Sequence, residues 1–101
     1  MKIWILLFTL TMTVAADELR VLSYNIHHGV GLDGKLDLGR IAKVIRKQNP
    51  DLVALQEVDK LVTRSDKTDQ AVVLAKYLGL HVVFGKSIDF QGGVYGNAIL
   101  S

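Results

Sequence analysis

Leu52-Val53-Ala54-Leu55-Gln56-Glu57-Val58 decides the fold. Its apolar run reads as a buried strand, and Asn49-Pro50-Asp51 immediately before it stops whatever precedes. Upstream, Leu38, Ile41, Ala42 and Ile45 recur at helical spacing behind Asp37, a residue type that caps helix starts. Arg40, Lys43, Arg46 and Lys47 take the other side of that helix, most of them toward its C-terminus, where cations complement the dipole. Further upstream, residues 19–26 (Leu-Arg-Val-Leu-Ser-Tyr-Asn-Ile) read as a largely buried strand. Residues 27–34 hold three glycines and an Asp-Gly pair and read as a loop. Strand, loop, helix, strand in this order predicts a right-handed βαβ unit.

Downstream of Val58, residues 59–68 read as a charged loop. Asp69 caps a second helix that places Ala71, Leu74, Ala75 and Leu78 inward and ends at Gly79. Residues 81–84 predict a short strand and 87–91 another, Gly92-Gly93 a turn, and the stretch from Val94 or Tyr95 to Ser101 a final strand. No turn or helix follows that strand, so the expectation is the N-terminal part of a larger α/β domain.

The chain has 101 residues, half of them hydrophobic, with one proline and no cysteine. That composition excludes a disordered tail and a disulfide-stapled mini-protein, and with them thiolate zinc sites and cysteine nucleophiles. The formal charge of +2 comes with no basic run, so nothing argues for electrostatic capture of nucleic acid.

The first sixteen residues read as an address. Lys2 gives a positive start, an uncharged apolar segment follows, and Val14-Ala15-Ala16 offers short side chains just before Asp17-Glu18. The apolar run of about twelve residues is too short for a membrane span of ~20. The expectation is export, periplasmic or extracellular, after cleavage near Ala16, with residues 17–101 as the folded part and no stable membrane span.

Glu57 is the most informative position for chemistry. It closes the second strand, and ligands of α/β sheets gather at the carboxyl ends of strands. A carboxylate there can hold a hard cation such as Mg²⁺; the bland alternative is an exposed Glu, or one paired with Arg64. Asn25 stands at the matching end of the first strand, where its amide can ligate metal through oxygen, donate to phosphate, or merely form a turn. His27 and His28 would point to opposite faces if both lay in extended chain, which argues against a shared metal. Gly29, Gly31 and Gly34 match a dinucleotide spacing without its strand-to-helix context and read as a flexible loop. Asp66, Asp69 and Gln70 read as caps and solvated loop residues. Asn97, after the small Gly96, either points into a cleft or finishes a turn.

Three segments, residues 21–29, 50–58 and 95–101, together resemble in order and spacing the N-terminal part of the endonuclease/exonuclease/phosphatase superfamily. The Asp69-Gln70 helix start and Gly92-Gly93 are similar to those of its secreted bacterial members. The resemblance implies a two-sheet α/β sandwich with outer helices and Mg²⁺-assisted hydrolysis of a phosphate ester, Mn²⁺ being an alternative ion. It implies Glu57 and Asn25 as metal-binding residues, and Asn97 and His28 as residues near the substrate. The family's activating Asp, its Asp-x-Asn pair and its terminal Asp-His pair have no counterpart in residues 1–101, so the catalytic residues are expected beyond Ser101 and these 101 residues alone are expected not to complete the reaction. The substrate is open among nucleic acid, phospholipid, inositol phosphate and other esters. Two other readings stand beside the hydrolase: a secreted non-catalytic binding module, whose Ser101 would precede a genuine stop and leave a stable soluble product, and an inert gene remnant, which would aggregate or be degraded.

Overall fold

The computed structural model describes residues 18–101; the expected leader, residues 1–16, lies outside them. The order is β1 (Val21–Asn25), α1 (Leu38–Gln48), β2 (Leu52–Lys60), α2 (Gln70–Leu78), β3 (Val82–Phe90) and β4 (Gly93–Leu100), with short 3-10 turns at His27–Gly29 and Thr63–Ser65. The strands form one sheet in the order β1-β2-β4-β3. β1 and β2 run parallel, as the βαβ reading requires, and β4 lies antiparallel to both β2 and β3.

Both helices form where capping and periodicity put them. The Asp37 carboxylate accepts a hydrogen bond from the Arg40 amide at 2.9 Å, and that of Asp69 accepts one from the Val72 amide at 3.3 Å. Each satisfies an amide that the first helical turn leaves without an internal partner. α1 ends at Asn49 and α2 at Gly79, both left-handed. The inward faces are the expected ones: Ile41, Ala42 and Ile45 from α1, and Ala71, Leu74 and Ala75 from α2. They meet Val53, Leu55 and Val58 of β2 and Ala98 and Leu100 of β4 in one core. The hydrophobic burial that holds the fold therefore lies on one side of the sheet.

Two boundaries differ from expectation. Val82–Phe90 forms a single strand, β3, where two were expected, because Ser87 is looped out as a bulge between Lys86 and Ile88 and the ladder resumes beyond it. The tight turn is Gln91-Gly92, with Phe90 and Gly93 paired across it. Both turn residues have positive φ, as two-residue hairpins of this hand require. The second difference is that β2 runs on through Asp59 and Lys60, so the segment read as a charged loop begins as strand, and Asp59 is fully buried.

Leu74 is fully buried between helix and sheet. Leu74→Ala is expected to lower the unfolding free energy by about 3 kcal/mol, the usual cost of such a cavity, whereas Val44→Ala on the exposed side of α1 should cost well under half of that. Urea denaturation of the two variants checks this.

Candidate metal and phosphate cleft

The cleft begins with a miscount in the sheet. Leu55 pairs with Ala98 and Val58 with Gly96, so Gln56 and Glu57 together stand opposite Asn97. This is a β-bulge, and Glu57 adopts a left-handed backbone (φ 55°) within it. Leu55 and Val58, three apart, both reach the core. In a regular strand they would face opposite ways.

The register then aligns the positions singled out from sequence. Asn25 pairs with Gln56, the Gln56-Glu57 bulge opposes Asn97, and Asn97 pairs with Gly85. Asn25, Glu57 and Asn97 thus lie in one row across the sheet, at the carboxyl ends of the parallel pair. Asn25 and Asn97 are exposed and Glu57 is half-buried. Gly96 lets the strands close here, because a Cβ at that position would collide with the Gly85 carbonyl oxygen.

Asn25 also performs the turn role weighed for it. Its side-chain oxygen accepts the His27 amide at 3.0 Å, and the Ile26 amide donates to the Gln56 carbonyl at 3.1 Å. His27, His28 and Gly29 then all have positive φ, at 47°, 43° and 85°. The expectation that the two histidines diverge is corrected here. They lie in a tight turn inside the stretch read as a loop, and their rings sit 4.4 Å apart.

Gln70 fastens this turn to β2. Its side chain is fully buried. Its Nε2 donates to the His28 carbonyl at 2.7 Å and its Oε1 accepts the Asp59 amide at 3.0 Å. The expectation of a solvated Gln70 is therefore overturned: one amide supplies both the donor and the acceptor that two strand-end segments need. At the far end of the same loop, Arg40 pairs with Asp33 and holds its carboxyl down at about 2, chiefly through the side-chain hydrogen bond.

Glu57, His27, His28, Arg64, Ile88, Phe90 and Tyr95 line a cleft of about 310 Å³. A neighbouring groove of about 570 Å³ shares His27 and takes in Asn25. Arg64 does not pair with Glu57, as one reading had it, but with Asp59, through Nε at 2.9 Å and Nη2 at 3.0 Å. Among the described residues no ion pair occupies the Glu57 carboxylate. The Tyr95 phenol is pushed up by burial first and by the Glu57 charge second. Burial, followed by the Arg64 charge, lowers His28 from its ordinary 6.5.

The donor set suits a hard cation in part. Glu57 offers a half-buried carboxylate, and the Asn25 oxygen keeps a second lone pair beyond its turn bond. Among the described residues no three His, Cys, Asp or Glu side chains gather into a ligand cluster. These residues could therefore supply two oxygen donors to a hard cation and no more.

Sequence reading gave no site role to Asp59, Phe90 or Tyr95, and weighed Arg64 only as a partner of Glu57. The residue types gave a weak signal, with an Asp two places after Glu57 and an Arg five places beyond it. The bulge hid their faces. The His28 shift has a measurable result: the unfolded chain binds a proton at His28 near pH 6.5 while the folded chain still does not. Stability contributed by neutral His28 is complete above pH 6.5 and lost as pH falls toward its lowered folded value. His28→Gln should flatten that part of the stability-versus-pH curve, as followed by thermal melting across pH 5 to about 8.

Comparison with known proteins bears on the fold. The Endonuclease/Exonuclease/phosphatase family matches residues 22–101. The crystal structure of an endonuclease/exonuclease/phosphatase from Beutenbergia cavernae DSM 12333 is similar, with a TM-score of 0.69 and 34% identity over 82% of this chain and 25% of that one. An endonuclease/exonuclease/phosphatase family protein from Leptotrichia buccalis C-1013-b shares the fold, with a TM-score of 0.63 and 22% identity over 83% of this chain and 38% of that one. The chain thus spans a quarter to well under half the length of these two structures. No curated protein matches it. With its sheet, its two helices and four-fifths of its length accounted for in this way, the chain belongs to the endonuclease/exonuclease/phosphatase family.

Proposed function

We propose that this chain forms the metal- and phosphate-binding side of an exported, Mg²⁺-dependent phosphate-ester hydrolase, with Mn²⁺ as an alternative ion. The observation that carries the reading is the row of Asn25, Glu57 and Asn97, with a carboxylate at its centre that no ion pair among the described residues occupies. Glu57 supplies the anionic oxygen ligand and Asn25 a neutral one. Asn97, one strand over, contacts the substrate, and His28 stands on the same rim. A bound divalent cation polarises a phosphoryl oxygen and offsets charge on the leaving oxygen.

Residues 1–101 contain neither an Asp-x-Asn nor an Asp-His pair. The groups that activate the attacking water therefore come from outside these residues, and this chain binds metal without turnover. Family membership supports phosphoester chemistry. The substrate is a phosphate ester, with no electrostatic argument for a nucleic acid at a formal charge of +2.

Calorimetric titration of the chain with Mn²⁺ and Mg²⁺ tests the metal assignment. Glu57→Gln is expected to weaken binding by more than about tenfold, since even partners one step removed from a metal are worth that much. Equal Mn²⁺ affinity in the variant would sink the assignment of Glu57. With bis(p-nitrophenyl) phosphate and Mg²⁺, the 101-residue chain should release no nitrophenol above background.

A further inference from the structure

Arg64 is held by more contacts than a loop arginine needs. Its Nε and Nη2 both donate to Asp59, which is fully buried and also accepts the Ser65 hydroxyl at 2.9 Å. Its guanidinium carbon lies 4.4 Å from the Phe90 ring centroid and 5.4 Å from that of Tyr95. Its backbone amide donates to the Gln91 side chain at 3.0 Å. The side chain is nevertheless 29% exposed and lines the same cleft as Glu57 and His28. Asp59 takes one edge of the planar fork, so Nη1 alone has no protein acceptor among the described residues.

We propose that Arg64 is a substrate-binding residue that presents Nη1 to a non-bridging oxygen of a phosphate ester in this cleft. The proposal rests on the phosphate-ester reading above. Guanidinium suits the role because its donors lie in a fixed plane and it remains charged, and here the aromatic rings and Asp59 fix that plane before a ligand arrives. Signs then alternate along the cleft: the Glu57 carboxylate, a cation, the phosphoryl oxygens, and Arg64. Lysine at this position could keep one ion pair with Asp59 but not both the side-on pair and a free N–H.

The test is a titration of the full chain with inorganic phosphate in the absence of metal. The side-chain N–H signals of arginine, followed by nitrogen-15 NMR, report on Arg64 directly. A saturable shift of the Arg64 signal is expected. In Arg64→Lys, phosphate affinity should fall by about tenfold, the loss of one charge-assisted bond. In Glu57→Gln it should rise, because a like charge has been removed. An unmoved Arg64 signal, or wild-type affinity in a folded Arg64→Lys chain, would show that Arg64 serves Asp59 alone. If the lysine variant fails to fold, the wild-type Arg64 signal decides by itself. Failure of the metal assignment is a separate result: Mn²⁺ affinity insensitive to Glu57→Gln would leave the metal-free behaviour of Arg64 standing.

Discussion

The extra residue at Gln56-Glu57 is the constraint on which the rest depends. The core needs both Leu55 and Val58 beneath the helices, and only a two-for-one mismatch against Asn97 lets residues three apart share that side. The mismatch places a glutamate in a left-handed backbone, which costs on the order of 1–3 kcal/mol where no glycine stands. The surroundings over-determine it. Leu55 and Val58 anchor both flanks in the core, and Gln70 holds the Asp59 amide just beyond. The side-on Arg64 pair and the Ser65 hydroxyl fix the Asp59 carboxylate. Packing therefore maintains a glutamate in a strained backbone whose carboxylate has no ion pair among the described residues. Strain of this kind collects where a side chain must be aimed at something other than the protein.

The buried Asp59–Arg64 pair links stability to the cleft. A carboxylate removed from water is costly unless its oxygens are all used, and here three donors from two residues use them. Losing Arg64 altogether would strand a buried charge, and the resulting instability would mask any effect on binding. Nε and Nη2 of Arg64 thus serve the fold, and Nη1 is the nitrogen left for the phosphate contact proposed above.

The legible parts of the sequence were those governed by local rules. Asp37 and Asp69 cap as their chemistry dictates, and the inward positions of both helices follow from their 3.6-residue period. The parallel pairing of β1 with β2 follows from the helix between them. That placed Asn25 and Glu57 at one rim, and the resemblance supplied Asn97 for the same row. Bulges at Gln56-Glu57 and Ser87 were not legible: the first puts its left-handed backbone at a glutamate and not at a glycine, and the second carries no left-handed residue that a glycine could announce. Each bulge shifts the period-two alternation by one, so every face assigned past it is wrong. Asp59 looked solvated because residues 59–68 carry enough charge to read as a loop, and the interruption at Ser87 made the two halves of β3 look like separate strands. The left-handed His27-His28 turn likewise has histidines where a glycine would announce it, and the contacts of Gln70 span 42 and 11 positions, beyond any local rule.

The two faces of the sheet show how the site relates to the family's architecture. Helices pack on one face. On the other, Val83, Val21 and Ile99 stay 73%, 58% and 42% exposed, and the pairing of Val83 with Ile99 places two of them side by side. Apolar side chains in register on an open sheet face suit a second sheet about 10 Å away, the arrangement of a two-sheet sandwich. The row Asn25, Gln56-Glu57, Asn97 lies on this face at its polar edge, past the apolar rows. A second sheet packed on the apolar rows would bring its own strand ends up to that edge. The bulge thus has a consequence beyond the core: it sets Glu57 in the same row as Asn25 and Asn97, at the polar edge of the open sheet face.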